Sequence, residues 1–312
     1  PVLEDEQAAT RLASLARPCV WLQTKLDESV TALGSTRLGG LPDLPAGAAW
    51  PVRPAYPDAA QRGQYPRASE RPHAGRLQTA FPLNFLAQIN FAQIWAAGVV
   101  DEDMPRTGLL SIFYDITDKP WGSVPADDMA LQLYFQEQVA DDLQRLPLPE
   151  ALQALPAHWH LGALECALHP ALTPLPVASA DWKAHAASFS REQQDAYAHW
   201  LSDEADCNAS VDGQDWRCHH VGGWPTPIQG DMQTRCALVA AGLDSGQGEH
   251  WCDPATQLVR NTATDWLLLL QIGTDAQAGM SWGDEGQLYL WIRREDLRAR
   301  RFDQARLILQ CY

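Results

Sequence analysis

Gly39-Gly40-Leu41-Pro42 and Gly222-Gly223-Trp224-Pro225 are two versions of one short pattern, and each is followed at a fixed distance by a second shared pattern. From Gly40 to Gln88 is 48 residues, and from Gly223 to Gln271 is also 48. Leu86-Ala87-Gln88-Ile89 therefore aligns with Leu269-Leu270-Gln271-Ile272 without a gap, at a constant offset of 183. A Gly-Gly before Pro reads as a tight turn, and Leu-x-Gln-Ile reads as a buried strand. Equal spacing points to an internal duplication, in which two similar β-rich halves pack around a shared interface. The alternative is that turn and strand recur through composition alone in a Gly- and Pro-rich chain. Beyond the strands the spacing slips: Gly108-Leu109-Leu110 resembles Gly286-Gln287-Leu288 at an offset of 178. Trp121-Gly122 follows its strand, whereas Trp282-Gly283 precedes its own. If the halves are equivalent, so are Gln88 and Gln271, and a glutamine inside an apolar strand needs a hydrogen-bond partner.

Outward from these elements, strand-like runs are read over residues 83–90, 108–115, 130–135, 160–168, 266–272, 286–292 and 307–311. Helices are predicted over 4–15, 191–203, where Ser190 and Gln193 form a capping box, and 295–301. Residues 39–76 carry seven prolines and read as a long loop. The fold class is α+β, a mainly antiparallel β-sheet built as two similar halves, a pseudo-duplication with peripheral helices. Residues 1–37 form a lead-in of helix and strand, 38–150 the first half, 151–219 a connecting strand and helix, and 220–312 the second half, packed as one body.

Composition bounds the function. The chain of 312 residues carries 39 acidic and 23 basic side chains, a net charge of −16, and only Lys25, Lys119 and Lys183 are lysines. Nucleic acid is not an expected partner. Apolar runs such as 266–270 fall far short of the ~20 residues a membrane span needs, and Glu4, Asp5 and Glu6 stand where a signal peptide would be basic. A cytoplasmic protein without membrane contact is expected. The 7 cysteines are scattered without a CxxC pair, so reduced thiols are the default. Tryptophan is over-represented, with 13 residues against 7 Tyr and 7 Phe. Trp50, Trp121, Trp224 and Trp282 sit in turn motifs, where indoles can wall a site, whereas Trp266 and Trp291 fall in strands and belong to the core.

Gly39-Gly40-Leu41-Pro42-Asp43-Leu44-Pro45, Trp50-Pro51, Phe85-Leu86-Ala87-Gln88-Ile89-Asn90 and Gly108-Leu109-Leu110, taken in order, resemble the YwqG-like family, a bacterial domain-of-unknown-function family. Val221-Gly222-Gly223-Trp224-Pro225, Leu268-Leu269-Leu270-Gln271-Ile272, Trp282-Gly283-Asp284 and Gln310-Cys311-Tyr312 extend the resemblance over about Leu38 to Tyr312. The resemblance implies an α+β fold without accepted catalytic residues, substrate or cofactor. It also implies a small accessory protein, since some relatives belong to the gene neighbourhoods of bacterial toxin and immunity systems.

Motifs for chemistry are sparse. No lysine follows a glycine, so no P-loop is present, and GxGxxG and HExxH are absent. Cys207, Cys218, His219, His220, Cys236, His250 and Cys252 offer the thiolates and imidazoles that zinc prefers, but at spacings of no established zinc module. His158 and His160 would share one strand face, again without a third ligand. Buried thiols and surface histidines are the plainer reading, and neither metal nor cofactor is expected. Adjacent carboxylates such as Asp101-Glu102-Asp103 and Asp127-Asp128 read as solvated loops. The arginines at 293, 294, 298, 300, 301 and 306 read as surface ion-pair formers. The candidate ligand-binding residues are Gln88, Gln271, Trp282 and Asp284, the last presented by a Gly-flanked turn beside an indole. Three functions remain open: a binding module that steers and anchors a basic protein partner, such as a toxin it neutralises; an enzyme or small-molecule-binding protein with a pocket between the halves; and a structural accessory protein.

Overall fold

The computed structural model describes residues 5–26, 32–63, 74–139, 141–206, 210–211, 214–215, 218–246 and 248–312. One antiparallel sheet dominates it. Its strands are β1 (Arg17–Leu26), β2 (Arg37–Leu38), β3 (Asn84–Asn90), β4 (Leu109–Tyr114), β5 (Leu131–Gln136), β6 (Leu164–Thr173), β7 (His219–Gly222), β8 (Trp266–Gly273), β9 (Gln287–Arg293) and β10 (Arg306–Gln310). Their spatial order is β10-β9-β8-β7-β1-β6-β2-β3-β4-β5. The long central pair β1 and β6 is flanked by two four-stranded wings, and both wings run short strand, Gln strand, next strand, edge strand.

Pairing within the wings keeps the spacing of the sequence patterns. Arg37 lies opposite Gln88 as His220 lies opposite Gln271. The β3–β4 ladder shifts register between Phe85 and Ala87, and the β8–β9 ladder between Leu268 and Leu270. Each short strand ends in its glycine pair, and all four glycines have positive φ: 64° and 75° at Gly39 and Gly40, 72° and 77° at Gly222 and Gly223. Glycine is also required sterically, because a Cβ at Gly39 would stand 2.1 Å from the Gly162 carbonyl oxygen, and one at Gly223 2.5 Å from Thr173 Oγ1.

The sheet curls until its edges approach. Phe135 on β5 meets Phe302 beside β10 with ring centroids 4.6 Å apart, Arg306 pairs with Asp128, and Leu309 N donates to Trp121 O. The concave side encloses the main core, including Leu22, Ile89, Leu110, Val221, Leu270 and Trp282. Outside the second wing the helix Met232–Ala240 covers Trp266, Leu268, Tyr289, Trp291 and Ile308. A strand so covered is apolar on both faces, which is why β8 reads as a near-continuous apolar run.

Most strands and the capped helix, Arg191–Asp206, lie where the sequence puts them; Ser190 N donates to Gln193 Oε1 and Gln193 N to Ser190 Oγ. Four readings change. The Pro-rich stretch 39–76, read as a loop, carries the short strands Asp43–Pro45 and Val52–Arg53 and the short helix Ala59–Arg62. The strand expected without bounds in the 1–37 lead-in is β1, ten residues long and central in the sheet, where its alternation is blurred by Pro18 and by polar Gln23, Thr24 and Lys25. The strand placed at 160–168 runs instead over Leu164–Thr173, and His158-Trp159 fall in the 3-10 turn Ala157–Trp159, so His158 and His160 do not share a strand face. Asp127 is not solvated: it is buried against Arg62.

Candidate functional site

Of the four residues singled out, two line a cleft and two do not. Gln88 and Gln271 are fully buried. Gln88 Oε1 accepts from Asp43 N (3.1 Å) and its Nε2 donates to Asp43 Oδ2 (2.8 Å) and Ser35 O (2.7 Å). Gln271 Oε1 accepts from Thr226 N (2.9 Å) and its Nε2 donates to Thr226 Oγ1 (2.6 Å). Each glutamine clamps the turn after its glycine pair to the sheet, and neither faces open space. Trp282 and Asp284 border a cleft of about 600 Å³ at one end of the curled sheet.

Four segments build this cleft. The β4–β5 connection supplies Lys119 and Trp121, the 3-10 turn supplies His158 and Trp159, the β8–β9 connection supplies Ser281, Trp282 and Asp284, and β10 supplies Leu309. The first wing and the second therefore face each other across it. Trp282 forms a buried wall, its Nε1 donating to Gly273 O at 2.9 Å. Trp121 is 40% exposed. It is held by its backbone: its carbonyl accepts from Leu309 N (3.2 Å), and a Cβ at the next residue, Gly122, would stand 2.1 Å from Leu307 O. Lys119 Nζ donates to Ser281 O (2.6 Å) across the cleft and lies 5.4 Å from the Trp159 ring centroid.

The β4–β5 connection is fixed from behind by the Pro-rich segment. Arg53 Nε donates to Asp115 Oδ2 at 2.5 Å, and Arg62 donates to Asp118 Oδ2 (2.9 Å) and Asp127 Oδ1 (2.5 Å). The Tyr56 ring lies between the two guanidinium groups, at 4.3 and 4.2 Å, and its hydroxyl donates to Asp115. Burial, together with the neighbouring carboxylates Asp115 and Asp118, pushes the Tyr56 phenol far above its ordinary range. Asp118 is thereby turned to a structural partner, which leaves Asp284 as the exposed carboxylate of the cleft.

The cleft presents indole surface, a carboxylate and an ammonium. His158 makes no hydrogen bond to the Ser281 or Thr117 hydroxyl or to Asp284, its ring instead lying 5.1 Å from that of Trp159.

The Cys/His set does not converge. Among the described residues no three His, Cys, Asp or Glu side chains are placed to hold a metal ion, and Cys207 lies outside the described residues. His219 uses both ring nitrogens: Nδ1 accepts from Gly273 N (3.2 Å) and Nε2 stands 3.4 Å from Asp275 Oδ2. Burial opposes charge on Asp275, but hydrogen bonds from His219 and Thr24 outweigh it and bring the carboxyl down to about 2. His220 Nδ1 donates to Gly222 O (2.8 Å), and burial pushes its imidazole down to about 4. Of the arginines read as ion-pair formers, Arg294 pairs with Asp101 and Asp103, Arg298 with Asp103, Arg301 with Asp296 and Arg306 with Asp128, whereas Arg293 and Arg300 form no ion pair among the described residues.

Sequence reasoning reached Trp282 and Asp284 and pointed to Trp121 as a turn-borne indole. It missed Lys119 and the role of Trp159, and the only available signal was the recurrence of Trp beside Gly or His in loops. The family model described as a domain of unknown function, DUF1963, matches residues 36–311. The match begins after β1, close to the span of the resemblance drawn from the Gly-Gly and Leu-x-Gln-Ile motifs. No curated protein matches the chain.

Proposed function

The chain belongs to the DUF1963 family, a domain of unknown function, and from that premise we propose that it is a protein-binding module which holds a basic segment of a partner in the indole-walled cleft. The observation that carries this reading is the exposed Trp121 facing Trp159, Trp282 and the Asp284 carboxylate across open space. Indole faces and a carboxylate suit an arginine or lysine side chain, through cation–π contact and charge pairing. A net charge of −16 would steer such a partner. The resemblance to the YwqG-like family favours a basic toxin that the protein neutralises, in the cytoplasm. The six described cysteines are all free thiols, which suits a reducing compartment.

We propose further that a gene duplication lies behind the two wings. Its support is the shared strand order and the offset of 183 kept by the pairs Arg37/His220, Asp43/Thr226 and Gln88/Gln271. A second reading, a small-molecule pocket between the halves, is favoured by the cleft volume of about 600 Å³ and by Trp159 Nε1, which is buried without a partner.

The test is a tryptophan-fluorescence titration with an arginine-rich peptide and with an acidic peptide of equal length. The basic peptide should bind, less tightly at high salt, and Trp121→Ala and Asp284→Asn should each weaken it. Equal binding of both peptides, or binding indifferent to both substitutions, refutes the reading.

A further inference from the structure

Away from the cleft, the convex side of the second wing gathers three guanidinium groups, of which only that of Arg306 has a carboxylate partner, Asp128. On β8–β10, Trp266 lies opposite Arg293, and Trp291 opposite Arg306. Cross-strand partners share a face, so these four side chains stand together. The Arg293 and Arg306 guanidinium carbons lie 5.1 and 6.0 Å from the Trp266 ring centroid. The covering helix adds Arg235 beside Cys236, which packs on Trp266 and Trp291.

The cluster is donor-rich and short of acceptors. Arg235 Nε, Arg306 Nε, Trp266 Nε1 and Trp291 Nε1 are all buried without a hydrogen-bond partner, and every one of them can only donate. Arg306 pairs with Asp128, and the nearby Asp231 is occupied by Lys183 (2.8 Å) and Thr234 Oγ1 (2.7 Å). Arg235 and Arg293 form no ion pair among the described residues. Unpaired buried donors are costly, and a guanidinium fork matches an oxyanion best. All three arginines are part-exposed, so the cluster is reachable from solvent.

We propose that Arg235, Arg293 and Arg306, over the Trp266–Trp291 pair, form a binding site for a phosphate-class oxyanion. The ligand supplies only acceptors, bridges the guanidinium groups of the helix and the sheet edge, and is independent of the cleft. Two or more guanidiniums favour a doubly charged phosphate over a single carboxylate.

Inorganic phosphate is titrated into the intact protein, with thermal midpoint and tryptophan fluorescence as readouts, against sodium chloride at matched ionic strength and against acetate. Phosphate should raise the midpoint saturably, and Arg235→Gln or Arg293→Gln should weaken the apparent affinity by about tenfold or more, while Asp284→Asn in the cleft leaves it unchanged. A response no larger than that of chloride, or one that survives the Arg235→Gln/Arg293→Gln double substitution, overturns the site. Acetate binding as tightly as phosphate overturns the phosphate class. Should the glutamine variants fail to fold, Arg235→Lys keeps the charge but loses the fork, and unchanged phosphate affinity in it also overturns the proposal.

Discussion

In the first wing the amide of Gln88 holds a turn whose polar groups are ionic. Asp43, fully buried, accepts from Arg37 Nη1 at 2.8 Å and from Arg145 Nε at 2.9 Å, and Arg37 also donates to Leu41 O. In the second wing Gln271 holds the corresponding turn through neutral groups: Thr226 stands where Asp43 does, and His220 where Arg37 does. Both glutamines satisfy the backbone N–H at the same place. The ladder geometry therefore demands the glutamine, whereas the charge state of the surrounding pocket is free to differ. What differs is how each wing fails. A buried ion pair with one member removed leaves an uncompensated charge, but a neutral clamp loses only a hydrogen bond.

The largest effect is expected from Asp43→Ala. Arg37 is 1% exposed, and its guanidinium would be left buried without its carboxylate, a loss of about 3–5 kcal/mol in denaturant unfolding. The matching Thr226→Ala should cost about 1 kcal/mol. Similar losses for the two would mean that Arg37 relaxes to solvent, and the ionic description of the first wing would fail.

Acid separates the wings next. The folded-state imidazole of His220 is pushed down to about 4 from an ordinary 6.5. Between those values the unfolded chain takes up a proton that the folded chain refuses. Stability is thus complete above pH 6.5 and falls as pH drops toward 4, by roughly 3 kcal/mol at most from this group. In the first wing, burial raises the Asp43 carboxyl, but Arg145, Arg37, Gly34 N–H and Gln88 outweigh it and hold it below 3.8. Its contribution stays intact until pH falls below that value. Unfolding free energy measured against pH in the wild type and in His220→Asn should therefore differ in slope between pH 4 and 6.5 and run parallel above and below that window. Parallel curves throughout would remove His220 as the source.

The contrast also marks what was readable in advance. The glycine pairs and the Gln strands lie in short local patterns, so β3, β4, β5, β8, β9 and β10 were legible, whereas the short strands β2 and β7 were not. The bounds and central place of β1 were not, because its neighbours β6 and β7 lie more than a hundred residues away and only tertiary pairing sets them. Trp282 and Asp284 were found through a turn motif. Gln88 and Gln271 were drawn into the site because a buried polar side chain signals either function or structural satisfaction, and sequence does not distinguish them. Lys119 and Trp159 join the cleft through contacts between segments far apart in the chain. Arg53 and Arg62 reach their carboxylates from a Pro-rich stretch without regular pattern.

The smallest and sharpest contrast lies on the two edge strands. Gln310 ends β10 opposite Gln287, as Gln136 ends β5 opposite Leu109. Gln310 is fully buried, and its Oε1 accepts from Ile228 N (2.8 Å) and Gln229 N (2.9 Å), a third glutamine clamp in the second wing. Gln136 is also buried, yet neither its Oε1 nor its Nε2 has a partner. The same residue type at the end of the corresponding strand is therefore satisfied in one wing and stranded in the other. Leucine at Gln310 would leave two backbone N–H groups unpaired and should cost about 1–3 kcal/mol, whereas leucine at Gln136 removes two unpaired polar atoms from the interior and should be neutral or stabilising by about 1 kcal/mol. Opposite signs in the two unfolding measurements are the expected result. A destabilising Gln136→Leu would mean that the Gln136 amide is hydrogen-bonded in solution, and the two edges would then be alike.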